Sequence, residues 1–272
     1  TTFTRAPAVA SASGWFVLCA VIFGRLMLRK GIPFGVLMLI FVPVTFAGLI
    51  VGHVFPAPVF DKGIWVALIL GYCLIAAVLP VNLLLQSRDF LSSMFLVAML
   101  AFGLLGLVLS GAEIQMPFFD GFTSDKLNPG YLAPMLFITV ACGACSGFHS
   151  MVASGTTSKQ IRRESDTQRV AYGGMLVEGL LAVFALAAVA VLSSGDIVAD
   201  PVRNFSHGSA IFFGSLGVPH ELGAEFAALT ISTFLLTTLD TCTRLSRFLL
   251  EEFFEWRNQA SRYVGTILVL IP

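Results

Sequence analysis

The stretch Ala141-Cys-Gly-Ala-Cys-Ser-Gly-Phe-His-Ser-Met-Val-Ala-Ser-Gly-Thr-Thr-Ser-Lys159, the signature segment, places polar side chains inside an apolar run. The run starts near Pro134, yet it continues with glycine, serine, threonine and His149, where lipid favours apolar groups. Polar groups at membrane depth are costly, so they usually face the interior of a helix bundle or a water-filled path. The segment therefore predicts a helical membrane protein that handles a solute or an ion.

The composition of the whole chain also indicates a membrane protein. Of the 272 residues, 57% are hydrophobic and 12% are charged, whereas about 25% are charged in a typical soluble domain. The formal net charge is zero and the chain has no basic tract, which argues against a nucleic-acid partner. The five cysteines are odd in number and lie in apolar segments, which argues against a secreted disulfide framework.

Seven apolar runs reach the length of about 20 residues that a helix needs to cross a bilayer. Helices satisfy the backbone in lipid, whereas the strands of a barrel would alternate in polarity. The segments 54–63, 111–132 and 193–223 are rich in Gly, Pro, Ser and Asp and are predicted to be connecting loops. The predicted spans are 8–28, 32–51, 64–85, 90–109, 134–152, 172–192 and 225–245, and an eighth begins at Tyr263.

The ends of the chain and its basic residues indicate its context. Because the chain starts at Thr1 and stops inside an apolar run, we predict that 1–272 is a single transmembrane domain fragment, truncated at both ends. Lys and Arg segregate 12 to 4 between alternate connections, and the richer side is predicted to be cytoplasmic. The richer set is Arg25, Arg29, Lys30, Arg88, Lys159, Arg162, Arg163, Arg169, Arg244, Arg247, Arg257 and Arg262.

Pro80 lies inside the third predicted span. A proline removes one backbone hydrogen bond and frees the carbonyl four residues earlier, here that of Ala76. With Asn82 two residues further on, the pattern predicts a broken helix whose exposed backbone groups bind a substrate. A packed proline kink with no binding role is the alternative.

The signature segment contains the candidates for ion coupling. Gly143 and Gly147 form a Gly-x-x-x-Gly pair, which favours close packing of another helix. The oxygen groups that follow suit a hard cation such as Na⁺, and a histidine can carry a proton near neutral pH. A histidine with a purely structural hydrogen bond is the alternative. The ion-coupling candidates are Ser146, His149, Ser150 and Ser154.

Cys142 and Cys145 have the spacing of a metal or redox pair and share a helical face with His149. A second pair of ligands is not evident, and cysteine is also a common small apolar filler. We therefore predict no metal site and no cofactor apart from a coupling ion, H⁺ or Na⁺. An intramembrane redox or metal protein that uses the two cysteines remains an alternative.

The seventh predicted span carries polar residues at intervals of three and four, which form one stripe. Asp240 and Arg244 are four residues apart and are predicted to form an ion pair that offsets part of the burial cost. A gate or proton relay is the second interpretation. Glu178 in the sixth span is interpreted as a snorkelling group or a proton carrier. The gate or relay candidates are Glu178, Thr237, Asp240 and Arg244.

Four segments together resemble the carbon starvation protein A family. The first is the signature segment extended back to Leu136. Cys145 departs from the family pattern, in which an apolar residue is usual there. The other three segments are Ala76-Ala-Val-Leu-Pro-Val-Asn-Leu-Leu-Leu-Gln-Ser-Arg-Asp-Phe-Leu91, Tyr172-Gly-Gly-Met-Leu-Val-Glu178 and Leu235-Leu-Thr-Thr-Leu-Asp-Thr-Cys-Thr-Arg-Leu-Ser-Arg-Phe248.

The resemblance implies a secondary active transporter of the cytoplasmic membrane that takes up peptides or a small carboxylate such as pyruvate during carbon starvation. It also implies an all-α polytopic membrane protein whose helix bundle is part of a five-plus-five inverted repeat of the amino acid–polyamine–cation type. The third and fifth spans would then be the sixth and eighth core helices. The implied partners are the solute, the lipid bilayer and the missing helices of the full-length protein. A membrane signalling or scaffold protein without a solute path is a further alternative.

Overall fold

The computed structural model describes residues 2–28, 33–79, 84–117, 119, 121–123, 131–145, 147–193, 195–198, 200–255 and 259–271. Nearly all of these residues are helical, and an isolated bridge joins Thr123 to Tyr131. The helices are α1 (Pro7–Met27), α2 (Phe34–Val54), α3 (Lys62–Val78), α4 (Leu85–Ser110), α5 (Leu132–Cys145), α6 (Gly147–Val152), α7 (Glu164–Ala190), α8 (Pro201–Gly214), α9 (His220–Phe253) and α10 (Gln259–Leu270). A π-helical turn, Ala153–Thr157, and a helical turn, Ser158–Gln160, follow α6.

In the described part of the chain, six helical segments are long and apolar enough to cross a membrane. Five are single helices, and the sixth, Leu132–Gln160, joins α5, α6 and the turns that follow. The six segments coincide with six of the seven predicted spans, and the remaining predicted span is the 17-residue α3. The structure therefore confirms an all-α bundle of membrane-spanning helices.

Helix α8 corrects the prediction that 193–223 is only a connecting loop. The Asp200 side chain accepts a hydrogen bond from the Val202 backbone N–H at 3.1 Å, and Pro201 follows this N-cap. An acidic N-cap followed by proline is a strong signal for a helix start. The helix buries aromatic side chains, Phe205, Phe212 and Phe213 among them. Its 14 residues are too few to cross a bilayer, which is why a search for spans passed over it.

Helices α4 and α9 form the centre of the described bundle, because α9 packs against α1, α3, α4, α8 and α10. One apolar core lies where α1, α2 and α4 meet α9. A second core lies where α4, α7 and α8 meet α9. Phe226 of α9 packs against both cores.

The relative directions of the helices agree with alternating membrane spans. Phe16 packs on Phe95 and Phe23 on Phe90, with ring centroids 5.7 and 5.8 Å apart, so α1 and α4 run antiparallel. Contacts between α3 and α9 advance together along both helices, so these two helices run parallel. A first and a fourth span must point in opposite directions, and a third and a seventh in the same direction.

Candidate functional site

The C-terminal end of α3 is capped by two arginines of α9. The last carbonyls of a helix have no partner within the helix, and the helix dipole favours cations there. Arg244 Nη2 donates to the carbonyl of Ala76 at 2.7 Å and to that of Leu79 at 3.2 Å. Arg247 Nη1 donates to the carbonyl of Ala77 at 2.8 Å. The Ala76 carbonyl that the sequence predicts to be free therefore accepts a hydrogen bond from an arginine.

Next to this cap, Asp240 forms an ion pair with Arg88 at the start of α4. Arg88 Nη1 donates both to Asp240 Oδ2 and to the hydroxyl oxygen of Tyr72 on α3. The Tyr72 hydroxyl donates to the same Asp240 oxygen at 3.1 Å. Three helices are thus joined through one carboxylate. We refer to Tyr72, Arg88, Asp240, Arg244 and Arg247 as the arginine junction.

The charges of the arginine junction are almost completely removed from solvent. Arg88 is 0% exposed, Asp240 1% and Arg244 4%. A charge at the centre of a bilayer costs on the order of 3 kcal/mol even on insertion scales, and pairing offsets part of that cost. Arg247, which is also buried, has a second partner in Glu251, with 3.6 Å between Nε and Oε1.

Several polar atoms of the junction are buried without a hydrogen-bond partner among the described residues. They are Nε and Nη2 of Arg88, Nε of Arg244, Nε of Arg247 and Oδ1 of Asp240. Buried polar atoms are nearly always satisfied, because an unmade hydrogen bond costs the full desolvation of the group. The spare donors of the fully buried Arg88 can therefore each donate to a further acceptor, such as a water molecule or a bound anion.

The predicted substrate contacts adjoin this junction in the sequence. Pro80 and Asn82 lie outside the described residues. The described chain before them ends with Leu79, whose carbonyl accepts from Arg244. Helix α4 begins at Leu85, so the third predicted span ends earlier than the sequence suggests.

Three of the four predicted ion-coupling residues lie at the surface of the described structure. Ser146 is outside the described residues, and His149, Ser150 and Ser154 are exposed. The Ser154 hydroxyl donates to the carbonyl of Met151 on its own helix at 3.3 Å. Among the described residues, Ser154 therefore satisfies its hydroxyl within its own helix.

Packing around the signature segment is sparse among the described residues. A Cβ added at Gly143 or Gly147 would meet no atom within 4 Å, so the predicted Gly-x-x-x-Gly contact is not formed there. A Cβ at Gly155 would lie 3.2 Å from Leu245 Cδ2, which marks a contact with α9. Cys142 and Cys145 are exposed, and no group of three potential metal ligands occurs in the described part of the chain.

The gate or relay candidates fall into two environments. Thr237 and Asp240 are buried on α9, whereas Glu178 is exposed on α7. The predicted pairing of Asp240 with Arg244 is wrong, because Asp240 contacts Arg88 instead. The spacing of four residues allows an Asp240–Arg244 ion pair, but the Arg244 guanidinium instead donates hydrogen bonds to the carbonyls at the end of α3.

Sequence reasoning missed Tyr72, Arg88 and Arg247 as parts of the site. It counted Arg88 and Arg247 among the charges of the cytoplasmic side, yet both are buried in the bundle. A signal for Arg247 was available, since it lies three residues after Arg244 and seven after Asp240, on the same helical face. Tyr72 has no comparable signal, because it is a single polar group in an apolar helix.

A second polar feature is a cavity of about 450 Å³ between the start of α1 and the N-terminal ends of α8 and α9. Charged side chains in its wall include Asp200, Arg203 and Glu225. Burial lowers the pKa of His207, which also lines the cavity, and the nearby His220 and Arg203 lower it further. This end of α9 is predicted to lie on the external side of the membrane.

Comparison with known proteins places the chain in a family. Residues 1–200 and 197–269 match the family described as Carbon starvation protein CstA. The pyruvate/proton symporter BtsT of Escherichia coli (strain K12) is 36% identical over 203 residues, which is 72% of this chain and 27% of that protein. The peptide transporter CstA of Helicobacter pylori (strain J99) is 30% identical over 247 residues, which is 71% of this chain and 36% of that protein.

A third relative is the peptide transporter CstA of Escherichia coli (strain K12), 40% identical over 144 residues, 51% of this chain and 20% of that protein. The chain therefore spans between 20% and 36% of the length of these three relatives. No solved structure matches it. With its membrane-length helices and its match from one end to the other, this multi-pass membrane protein belongs to the carbon starvation protein CstA family.

Proposed function

We propose that the chain is part of a secondary active transporter that carries a peptide or a small carboxylate such as pyruvate across the cytoplasmic membrane during carbon starvation. The names of the relatives support this proposal, since they include peptide transporters and a pyruvate/proton symporter. The coupling ion is H⁺ or Na⁺. Peptides and pyruvate differ in size and shape, but both carry a carboxylate.

The observation that carries the proposal is the arginine junction inside an apolar bundle. Three arginines are more than 95% buried, and Arg88 keeps two N–H groups without a partner among the described residues. An arginine presents a planar fork that binds a carboxylate through two parallel hydrogen bonds. A buried arginine with spare donors is therefore suited to an anionic solute.

Other parts of the proposal rest on the sequence pattern and on the fold analogy. Pro80 and Asn82, which lie in the sequence between α3 and α4, are proposed to contact the solute. An inverted repeat is supported by the packing of both α3 and α6 against α9, which keeps the third and fifth spans close to one common helix. Alternating access would then occur about a site between these helices.

Ser146, His149, Ser150 and Ser154 are the proposed coupling-ion residues of the signature segment. On this proposal, His149→Ala abolishes proton-coupled uptake in the full-length protein while leaving expression normal. Retained coupling in this variant would remove His149 from the mechanism.

The test of the transport proposal is uptake by the purified full-length protein in proteoliposomes. Labelled pyruvate and dialanine are compared under an imposed pH gradient, an imposed sodium gradient and no gradient. We expect one of the two gradients to drive accumulation of at least one solute above its equilibrium level. Absence of uptake for both solutes under every gradient would contradict the proposal and favour a signalling or scaffold role.

A control addresses the redox or metal alternative. In the same assay, the double variant Cys142→Ser with Cys145→Ser is expected to transport at the wild-type rate. Loss of transport without loss of folded protein would instead support chemistry at the two cysteines.

A further inference from the structure

We propose that the free edge of the Arg88 guanidinium binds the carboxylate of the solute, and that Asp240 takes up the proton that travels with it. This inference rests on the proposed function and assigns its binding and coupling groups. It adds a proton-binding group at the junction of α3, α4 and α9 to the coupling residues proposed in the signature segment.

The geometry of Arg88 supplies the first step. Its Nη1 contacts Asp240 and Tyr72, whereas Nε and Nη2 have no partner among the described residues. Nε and Nη2 lie on the same edge of the planar guanidinium, with the spacing of the two oxygens of one carboxylate. One edge of a fully buried arginine is thus fixed by the protein, and the other remains available for two parallel hydrogen bonds.

The charge balance around the junction supplies the second step. Among the described residues, Arg88 has one carboxylate partner, Asp240, and the two form a buried pair without net charge. A solute carboxylate on the free edge of Arg88 would be a second negative charge beside the same guanidinium. Two carboxylates that share one site cannot both stay ionised at low cost. Binding of the solute therefore favours binding of one proton, so that pyruvate and its proton enter without net charge.

Asp240 is the carboxylate placed to take that proton. The titratable and charged groups that face it are Tyr72 and Cys73 from α3, Arg88 and Asp89 from α4, and Arg244 from α9 itself. Its Oδ2 accepts from Arg88 and Tyr72, while Oδ1 is buried without a partner among the described residues. The carboxylate of Asp89, by contrast, belongs to an exposed residue. Oδ1 can hold a proton without breaking the contacts of Oδ2.

In the resulting transport cycle, every proton and carboxylate that binds on one side is released on the other. From outside, the solute carboxylate binds Nε and Nη2 of Arg88, and Oδ1 of Asp240 binds one proton. On the cytoplasmic side the carboxylate leaves, and Oδ1 releases the proton. One proton therefore accompanies each carboxylate, and the Arg88–Asp240 ion pair is restored.

The experiment uses the full-length protein in proteoliposomes that contain a fluorescent pH dye, with pyruvate, dialanine and dialaninamide as probes. In Asp240→Asn, the pyruvate that still moves is expected to do so without a coupled proton, because the amide resembles the protonated acid and can neither bind nor release a proton. The acidification of the lumen that accompanies net uptake is expected to be lost. Glu252→Gln, which changes an exposed carboxylate on the same helix, is the matched control and should behave as wild type.

Arg88→Lys tests the binding edge while keeping a cation beside Asp240. It should weaken the affinity for pyruvate about 10- to 100-fold, because a lysine cannot offer the second pair of donors. Arg169→Lys, at an exposed position of α7, is the matched control. In the wild type, dialaninamide should compete at least tenfold more weakly than dialanine, because it lacks the carboxylate.

Three results would overturn the proposal. They are unchanged acidification with Asp240→Asn during transport, unchanged pyruvate affinity with Arg88→Lys, and equal competition by dialanine and dialaninamide in the wild type. The last measurement does not depend on any variant folding. If the wild type transports neither pyruvate nor dialanine, the proposed function itself fails, which is a different outcome from transport that ignores these changes.

Discussion

Helix α9 and the signature segment both place polar residues at helical intervals within apolar stretches of membrane length, but their surroundings differ. On α9, Asp240, Arg244 and Arg247 are buried and contact α3 and α4. In the signature segment, His149 and Ser150 are exposed among the described residues. A polar pattern identifies a helical face, but it does not say what that face meets.

The difference follows from how each side chain satisfies its hydrogen bonds. Serine and threonine can donate to a carbonyl three or four residues back, as Ser158 does to Ser154 at 2.8 Å and Thr237 to Phe234 at 2.7 Å. Such residues need no neighbour. Asp240 and Arg88 have no partner of opposite charge within their own helices in the described part of the chain. Their pairing therefore requires that α4 and α9 pack together. Buried charges therefore locate a polar junction more reliably than a stripe of hydroxyls does.

The largest expected effect is the loss of one partner of the buried ion pair. Arg88→Met leaves Asp240 buried without its counter-charge, and this should destabilise the protein by about 3–5 kcal/mol. Thermal or denaturant unfolding in detergent measures the change. The double variant Arg88→Met with Asp240→Leu should recover most of the loss, because no unpaired charge remains. If the double variant is as unstable as the single one, the broken ion pair is not the cause of the lost stability.

The second prediction compares two glycines. A Cβ at Gly106 would run into the backbone carbonyl of Phe212, whereas a Cβ at Gly143 in the signature segment meets nothing within 4 Å. Gly106→Ala should cost about 3 kcal/mol of stability, since backbone cannot move aside as a side chain can. Gly143→Ala should change stability by less than about 0.5 kcal/mol. An equal loss of stability with Gly143→Ala would show that another segment packs on that helix in the full-length protein.

The third prediction concerns the cap on α3. Arg244→Met removes the donors to the carbonyls of Ala76 and Leu79 and should lower stability by about 1–2 kcal/mol. Arg169→Met, which removes an exposed arginine from α7, serves as the control and should be close to neutral. Hydrogen exchange of the last turn of α3 should rise only in the first variant. Similar exchange in both variants would contradict the capping role.

The smallest expected effect is a pH dependence at the external end of the bundle. Because the folded pKa of His207 lies below its ordinary value of about 6.5, the unfolded chain binds more protons there. Stability is therefore highest above that pH and decreases as the pH falls below about 6.5. His207→Gln should flatten this part of the stability curve, as measured by unfolding between pH 5 and pH 8. An unchanged curve would assign the dependence to other groups.

Much of the helical architecture could be predicted from the amino-acid sequence. The apolar runs predicted each of the helical segments of membrane length in the described part of the chain, because satisfying the backbone in lipid leaves few alternatives to a helix. Helix α8 was missed, because its apolar residues alternate with polar ones and it is too short to span a bilayer. Its signal was the Asp200–Pro201 start, which local capping rules recognise.

The sequence by itself determined the class of the protein, the positions of the long helices that the structure describes and the polar face of α9, because these follow from residue type and helical period. Only the tertiary structure decided the partners. Arg88 and Asp240 are 152 residues apart in the chain, and no local rule joins them. Their pairing depends on how α4 and α9 pack, and so does the free edge of Arg88 on which the proposed carboxylate site rests.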